Sequence, residues 1–126
     1  MKQVLTQDAP RPSGHYSQAI VHGNLIYLSG QLPIDPQSAE RRVGSIEEQT
    51  EQVLQNLAAV LKASNSGIAH VIKTTIYISD IALWDRVNEV YAKFFGEHRP
   101  ARAVVPTRDL HYGFQIEIDA VAAARE

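Results

Sequence analysis

Two residues near the C-terminus have side chains that suit work on a small organic acid. Arg102 lies in a short apolar segment, ARAVVPT, and Glu117 lies in FQIEIDAVA, where apolar and polar residues alternate. A guanidinium is permanently charged, and its planar fork matches a carboxylate. A carboxylate such as that of Glu117 can accept a proton and return it. The pair could therefore hold an acidic substrate and move a proton on it.

The spacing of the two segments predicts how they pair. If they form a hairpin around RDLHYG, Val104 lies opposite Glu117, and Arg102 is a diagonal neighbour of Glu117 on the same face. A partly exposed ion pair between the two, worth about 0–1 kcal/mol, is the alternative interpretation, and spacing alone favours it. The same register turns a set of apolar residues towards the helices: Phe114, Ile116, Ile118 and Ala120.

The rest of the composition excludes several kinds of chemistry. The chain has no cysteine, so disulfides, thiolate catalysis and cysteine-based zinc sites are excluded. Its five histidines show no metal-ligand spacing, so no metal site is predicted, and no glycine-rich phosphate loop is present. The formal charge is -2 and the basic residues are scattered, which gives no electrostatic footprint for a nucleic acid.

Hydrophobic patterns predict the elements that carry these residues. Two short runs, 17–21 and 25–29, flank HGN and indicate a hairpin. Ser45 and Glu48 have capping-box spacing ahead of a helical apolar repeat. HVIKTTIYISD is typical of a strand, after which Asp80 is the predicted N-cap of a second helix that ends at Gly96. With a short strand near residues 3–6, the order is strand, strand, strand, helix, strand, helix, strand, strand.

The predicted elements leave one sheet face unexplained. Two helices cover only one face of a sheet of about six strands, yet the strands carry apolar residues on both faces. Self-association is therefore predicted, and a tolerated half-apolar open face is the alternative. A chain of 126 residues fits one domain, 1–126. No signal core and no run of roughly 20 apolar residues is present, which predicts a cytoplasmic protein that does not interact with membranes.

Five segments, in this order, resemble the reactive intermediate deaminase family of the RidA/YjgF type: GHYSQAI, LSGQLPIDP, HVIKTTIYISD, VNEVYAKFF, and RPARAVVP followed by IEIDAVA. The resemblance implies an α+β, chorismate-mutase-like fold and a homotrimer with clefts between subunits. It also implies hydrolysis of 2-imino acids such as 2-iminopropanoate and 2-iminobutanoate to 2-oxo acids and ammonia, without a cofactor. Pyridoxal-phosphate-dependent serine and threonine dehydratases release such imines, which makes those enzymes functional partners in metabolite damage control.

The resemblance also assigns roles to single residues. It implies that Arg102 grips the substrate carboxylate and that Glu117 positions water and helps to deprotonate it. Tyr16 matches the tyrosine that lines the cleft. Ser29 and Gly30 match the SGQ segment beside that tyrosine.

The chain departs from the family pattern at several of these positions. Val104 lies where the family has a cysteine in the cleft, which predicts a more apolar substrate pocket without a thiol. His15 replaces a common proline before the tyrosine. His111 and Tyr112 could reshape the rim of the cleft, although turn residues are more often simply solvated.

Two other functions compete with imine hydrolysis. One is a non-catalytic, trimeric regulatory protein that binds a small carboxylate, in which the changes after Arg102 have ended turnover. The other is a ribonuclease or translation inhibitor, an activity attributed to some relatives. That activity would require a basic surface, which the charge distribution does not indicate.

Overall fold

The computed structural model describes residues 1–41 and 43–126. Six strands and two α-helices follow one another in the predicted order, which is confirmed. The strands and helices are β1 (Lys2–Val4), β2 (Ala19–His22), β3 (Leu25–Gln31), α1 (Ile46–Ala63), β4 (Val71–Ile78), α2 (Trp84–Phe95), β5 (Ala101–Pro106) and β6 (Ile116–Ala123).

Local sequence signals account for most of the element ends. Ser45 caps α1, and the Ser45 and Glu48 side chains bind each other's backbone N–H groups, so the predicted capping box is confirmed. Gly23 and Gly96 both have positive φ, where glycine avoids a steric penalty, and they turn the β2–β3 hairpin and end α2. The Asp80 carboxylate instead caps a single 3₁₀ turn, which delays the start of α2 to Trp84.

The sheet has the strand order β1-β2-β3-β6-β4-β5. Strands β4 and β5 are parallel, because α2 carries the chain back across the sheet between them, and all other neighbours are antiparallel. The predicted hairpin between β5 and β6 is therefore wrong. Strand β6 lies between β3 and β4, and β5 is an edge strand. The inward residues of β6 are all buried, which a central position explains and an edge hairpin does not.

Both helices pack on one face of the sheet, which confirms the predicted α+β fold with a six-stranded, mostly antiparallel sheet. The core between the two layers includes Ile26, Val53, Leu57, Ile76, Val87, Tyr91, Ile116 and Ile118. Trp84, the first residue of α2, is less buried than these residues, with 37% of its surface exposed. No helix in the described ranges is long and apolar enough to cross a membrane.

The other face of the sheet carries no helix. Large apolar side chains on it are open to solvent in the single protomer, including Tyr27 at 47% exposure and Val105 at 38%. Tyr27 lies between the buried residues Ile26 and Leu28 of β3, and Val105 follows the half-buried Val104 of β5. The sheet face that the two helices leave uncovered is therefore partly apolar, as the strand patterns indicated, and the predicted self-association stays a prediction.

Candidate functional site

A β-bulge in β3 shapes the first part of the candidate site. The register between β3 and β6 shifts after Leu28, so that two residues, Ser29 and Gly30, lie opposite Asp119 alone. A bulge bends its strand and redirects the neighbouring side chains. The Ser29 hydroxyl donates a hydrogen bond to the Ser17 carbonyl at 2.6 Å, which fixes this bend against the preceding loop.

Gly30 lies directly against the carboxylate of Glu117. A Cβ atom on Gly30 would overlap a carboxylate oxygen of Glu117 and would lie 3.0 Å from its Cδ atom. Gly30 therefore lets this half-buried carboxylate lie over bare backbone. Of the predicted site residues, Gly30 and Glu117 therefore lie in contact in the structure.

The environment of Glu117 favours the protonated form of its side chain. Burial raises the pKa of this carboxyl above its ordinary value, and the charge of Asp119 raises it further, while His111 acts in the opposite direction. A carboxylate with a raised pKa is a stronger proton acceptor than an ordinary surface glutamate. Sequence spacing did not reveal the contribution of His111, because His111 lies in the turn before β6 rather than beside Glu117 in sequence.

Glu117→Gln is expected to raise the free energy of unfolding relative to the wild type at pH 7. Because the pKa of Glu117 is raised on folding, the folded state keeps a proton that the unfolded chain loses above pH 4.5. Wild-type stability therefore falls as the pH rises through the window between that value and the folded pKa. The glutamine has no charge and is spared this loss.

Urea unfolding at about pH 4 and at pH 7, at equal protomer concentration, measures this difference. The advantage of Glu117→Gln should shrink towards pH 4, whereas Glu51→Gln on the exposed side of α1 serves as the matched control. An equal difference between Glu117→Gln and wild type at both pH values would contradict the raised pKa.

A groove of about 660 Å³ runs beside the bulge. Gly30, Gln31 and the half-exposed ring of Tyr16 line one part of it, and the Tyr16 hydroxyl accepts a hydrogen bond from the Ser13 N–H at 3.4 Å. Glu117 does not line the groove itself, but its carboxylate lies against Gly30, which is a lining residue. The predicted site residues Tyr16, Ser29, Gly30 and Glu117 therefore form one neighbourhood on one protomer.

Arg102 lies elsewhere in the protomer. Thr74 of β4 pairs with Arg102, and Tyr77 pairs with Glu117, so the two residues alternate onto opposite faces across β4. Arg102 projects towards α2 on the helix-covered face, as does Val104 beside Ile76. The predicted register, with Val104 opposite Glu117 and Arg102 diagonal to it, is wrong, because β4 separates the two strands.

Side chains of α2 hold the guanidinium of Arg102. Its Nη1 donates to Asn88 Oδ1 at 2.8 Å, and the group lies 4.9 Å from the ring centre of Tyr91 and 5.5 Å from that of Trp84. The Tyr91 hydroxyl in turn shares a hydrogen bond of 2.7 Å with Thr74 Oγ1. Asn88 was not predicted from the sequence, although Trp84, Asn88 and Tyr91 have the i, i+4, i+7 spacing of one helix face.

No metal site is evident in the part of the chain that the structure describes. Within residues 1–41 and 43–126, no three His, Asp or Glu side chains come together as metal ligands.

Comparisons with known proteins agree with this fold. Residues 6–124 match the family model described as Endoribonuclease L-PSP. A RutC family protein of Pyrococcus horikoshii is 46% identical over 123 residues, which are 97% of this chain and 98% of the relative. The chloroplastic Reactive Intermediate Deaminase A of Arabidopsis thaliana is 44% identical over 119 residues, covering 94% of this chain and 64% of that protein. The crystal structure of E. coli TdcF with bound serine has a TM-score of 0.94 and 33% identity, and the match covers 99% of this chain and 100% of that one.

The chain therefore belongs to the Endoribonuclease L-PSP family. The resemblance to RidA/YjgF-type proteins is confirmed, since relatives and matching structures carry the RutC and Rid names. The chorismate-mutase-like fold class that the resemblance implied is confirmed by the superposition over the whole chain.

Proposed function

We propose that the protein hydrolyses reactive 2-imino acids, such as 2-iminopropanoate and 2-iminobutanoate, to 2-oxo acids and ammonia. The observation that carries this proposal is the half-buried carboxylate of Glu117, which has a raised pKa and lies over the bare backbone of Gly30 beside a groove. Support also comes from the Arabidopsis relative, which is named a reactive intermediate deaminase. Serine bound in E. coli TdcF supports a site for small amino-acid-like ligands.

In the proposed reaction Glu117 acts first as base and then as acid. It takes a proton from water as the water oxygen bonds to the imine carbon and the C=N double bond becomes single, and it passes this proton to the nitrogen to give a carbinolamine. Glu117 then takes the hydroxyl proton of the carbinolamine and passes it to the amino nitrogen as the C–N bond breaks, so that ammonia leaves and the 2-oxo acid forms. Arg102 binds the substrate carboxylate, and Tyr16, Ser29 and Gly30 shape the pocket around the imine.

These roles require two copies of the chain. Arg102 and Glu117 project from opposite faces of one sheet, so a substrate of a few atoms cannot touch both within a protomer. We therefore assign Arg102, with Val104 beside it, to one subunit and Glu117 with Tyr16 to the next. A homotrimer with a cleft at each subunit boundary fits this requirement, and the open sheet face with Tyr27 and Val105 is the proposed contact surface. Cytoplasmic dehydratases that release imines are the proposed source of substrate.

The wild-type protein is expected to accelerate 2-oxo acid and ammonia release when a threonine or serine dehydratase generates the imine. Arg102→Ala should lose this acceleration, because the substrate carboxylate then has no cationic partner. Arg86→Ala is the matched control, since Arg86 pairs with Glu47 on the exposed helix layer. Binding of a 2-oxo acid without any turnover by the wild type would indicate a regulatory protein. RNA cleavage that disappears in Arg102→Ala would indicate a ribonuclease.

A further inference from the structure

The groove is larger than the proposed substrates need. Imines of alanine or 2-aminobutyrate have only a handful of non-hydrogen atoms, whereas cavities of about 660 Å³ are typical of considerably larger ligands. From Gly30, where the carboxylate of Glu117 lies, the groove continues between residues 7–13 and residues 32–41. A substrate whose imine carbon lies at Glu117 would therefore have room for a longer side chain.

Two arginines on different loops line this continuation of the groove. Arg11 belongs to the loop after β1, and Arg41 belongs to the loop after β3. In the described ranges, neither guanidinium lies within ion-pair distance of a carboxylate, although Asp8 also lines the groove. Their charge is therefore available to an anionic ligand.

Aromatic packing holds Arg41 in place. Its guanidinium lies over the ring of Tyr112 at 4.0 Å from the centre, and Tyr112 packs edge-on against the buried ring of Phe114 at 6.1 Å. Stacking on an aromatic face leaves the N–H groups at the edge of a guanidinium free to bind a carboxylate. Tyr112 is part of the turn that leads into β6, so the same segment supports both Arg41 and Glu117.

Buried amides hold the ends of the loop that carries Arg41. Asn56 on α1 donates hydrogen bonds to the carbonyls of Leu32 and Ile34, each at 3.0 Å. At the other end, the buried Gln49 side chain donates to the Gly44 carbonyl at 2.9 Å. The groove wall is thus tied to a helix at both ends, as a binding site of defined shape requires.

We propose that Arg11 and Arg41 form a second anion subsite, which selects imines of dicarboxylic amino acids, of the 2-iminosuccinate and 2-iminoglutarate class. This inference rests on the proposed imine hydrolysis. Arg102 of one subunit binds the carboxylate next to the imine, and the groove arginines of the other subunit bind the distal carboxylate. The hydrolysis itself is unchanged and again yields a 2-oxo acid and ammonia.

The test compares two imines that an amino-acid oxidase generates in place, one from glutamate and one from alanine, with semicarbazide trapping of the remaining imine. In Arg41→Gln the ratio of kcat/KM for the dicarboxylic over the monocarboxylic imine should fall roughly 10- to 100-fold, the usual value of a lost charge-assisted hydrogen bond. Arg11→Gln should lower the same ratio. Turnover of the monocarboxylic imine should stay within about twofold of wild type in both variants.

Arg86→Gln on the outer helix layer is the matched control and should leave the ratio unchanged. Tyr112→Leu removes the ring beneath Arg41 but leaves the charge of Arg41 in place. It should also lower the ratio of kcat/KM for the dicarboxylic over the monocarboxylic imine. Equal ratios in wild type, Arg41→Gln and Arg11→Gln would overturn the subsite but leave imine hydrolysis standing.

If the wild-type protein accelerates the hydrolysis of neither imine over the uncatalysed reaction, the proposed function fails. Calorimetric measurement of ligand binding then still tests the subsite. Tighter binding of 2-oxoglutarate than of 2-oxobutanoate, lost in Arg41→Gln, would support the second anion subsite. Equal affinities for the two 2-oxo acids would overturn it.

Discussion

Glu117→Gln is expected to lower kcat for imine hydrolysis by roughly 10²- to 10⁴-fold, the range lost when a general base is removed, with little change in KM. Glutamine keeps the shape of the side chain over Gly30 but can neither accept a proton from water nor return one to nitrogen. Substrate affinity should persist, because Arg102, the proposed partner of the substrate carboxylate, is unchanged and lies on the opposite sheet face.

The pH dependence of steady-state kinetics tests most directly whether Glu117 is the base. Since burial raises the pKa of Glu117 above 4.5, the base is lost by protonation as the pH falls, and the acidic limb of kcat/KM should lie above that value. The residual activity of Glu117→Gln should lack this limb. Glu51→Gln should reproduce the wild-type profile. Losses of the same size in kcat and in substrate affinity would count against the water-activating role.

Much of the fold could be predicted because its signals are local. The capping box at Ser45, the positive-φ glycines at 23 and 96, and the period of the apolar residues each depend on a few neighbouring positions. The pairing of β5 is not local, and there the prediction was wrong. A strand–helix–strand unit favours parallel strands, so the order β4, α2, β5 already contained the correct alternative.

The candidate site was predictable in its residues but not in its geometry. Glu117, Gly30 and Tyr16 were chosen through family motifs, and the structure brings them together. The bulge at Gly30 could not be read from the alternation of the strand, because a bulge interrupts that alternation. The groove arginines were missed because two loops distant in sequence form that wall, and neither loop has a periodic pattern.

The separation of Arg102 from Glu117 has a direct consequence for the proposed trimer. If the two residues act on one substrate from neighbouring subunits, two inactive variants should complement each other. A subunit carrying Glu117→Gln still supplies Arg102, and a subunit carrying Arg102→Ala still supplies Glu117. A trimer made of one variant alone has no cleft with both an intact Arg102 and an intact Glu117, whereas a trimer that contains both variants has one.

Heterotrimers of Arg102→Ala and Glu117→Gln, purified by two different tags, are therefore expected to regain about one third of wild-type activity. In a closed ring of three, any mixture of the two variants leaves one boundary where an intact arginine meets an intact glutamate. The measurement is imine hydrolysis by each pure variant and by the doubly tagged species at equal protomer concentration. A wild-type ring with one Arg86→Ala subunit controls for the effect of mixing.

If both residues served the same protomer, mixed rings would contain no intact site, and their activity would stay at the level of the separate variants. Recovery to about one third would also fix the number of clefts, since a two-subunit ring would regain about one half under the same rule. The experiment thus tests the shared site and the trimer together. A single-subunit mechanism is disfavoured because β4 lies between the strands that carry Arg102 and Glu117.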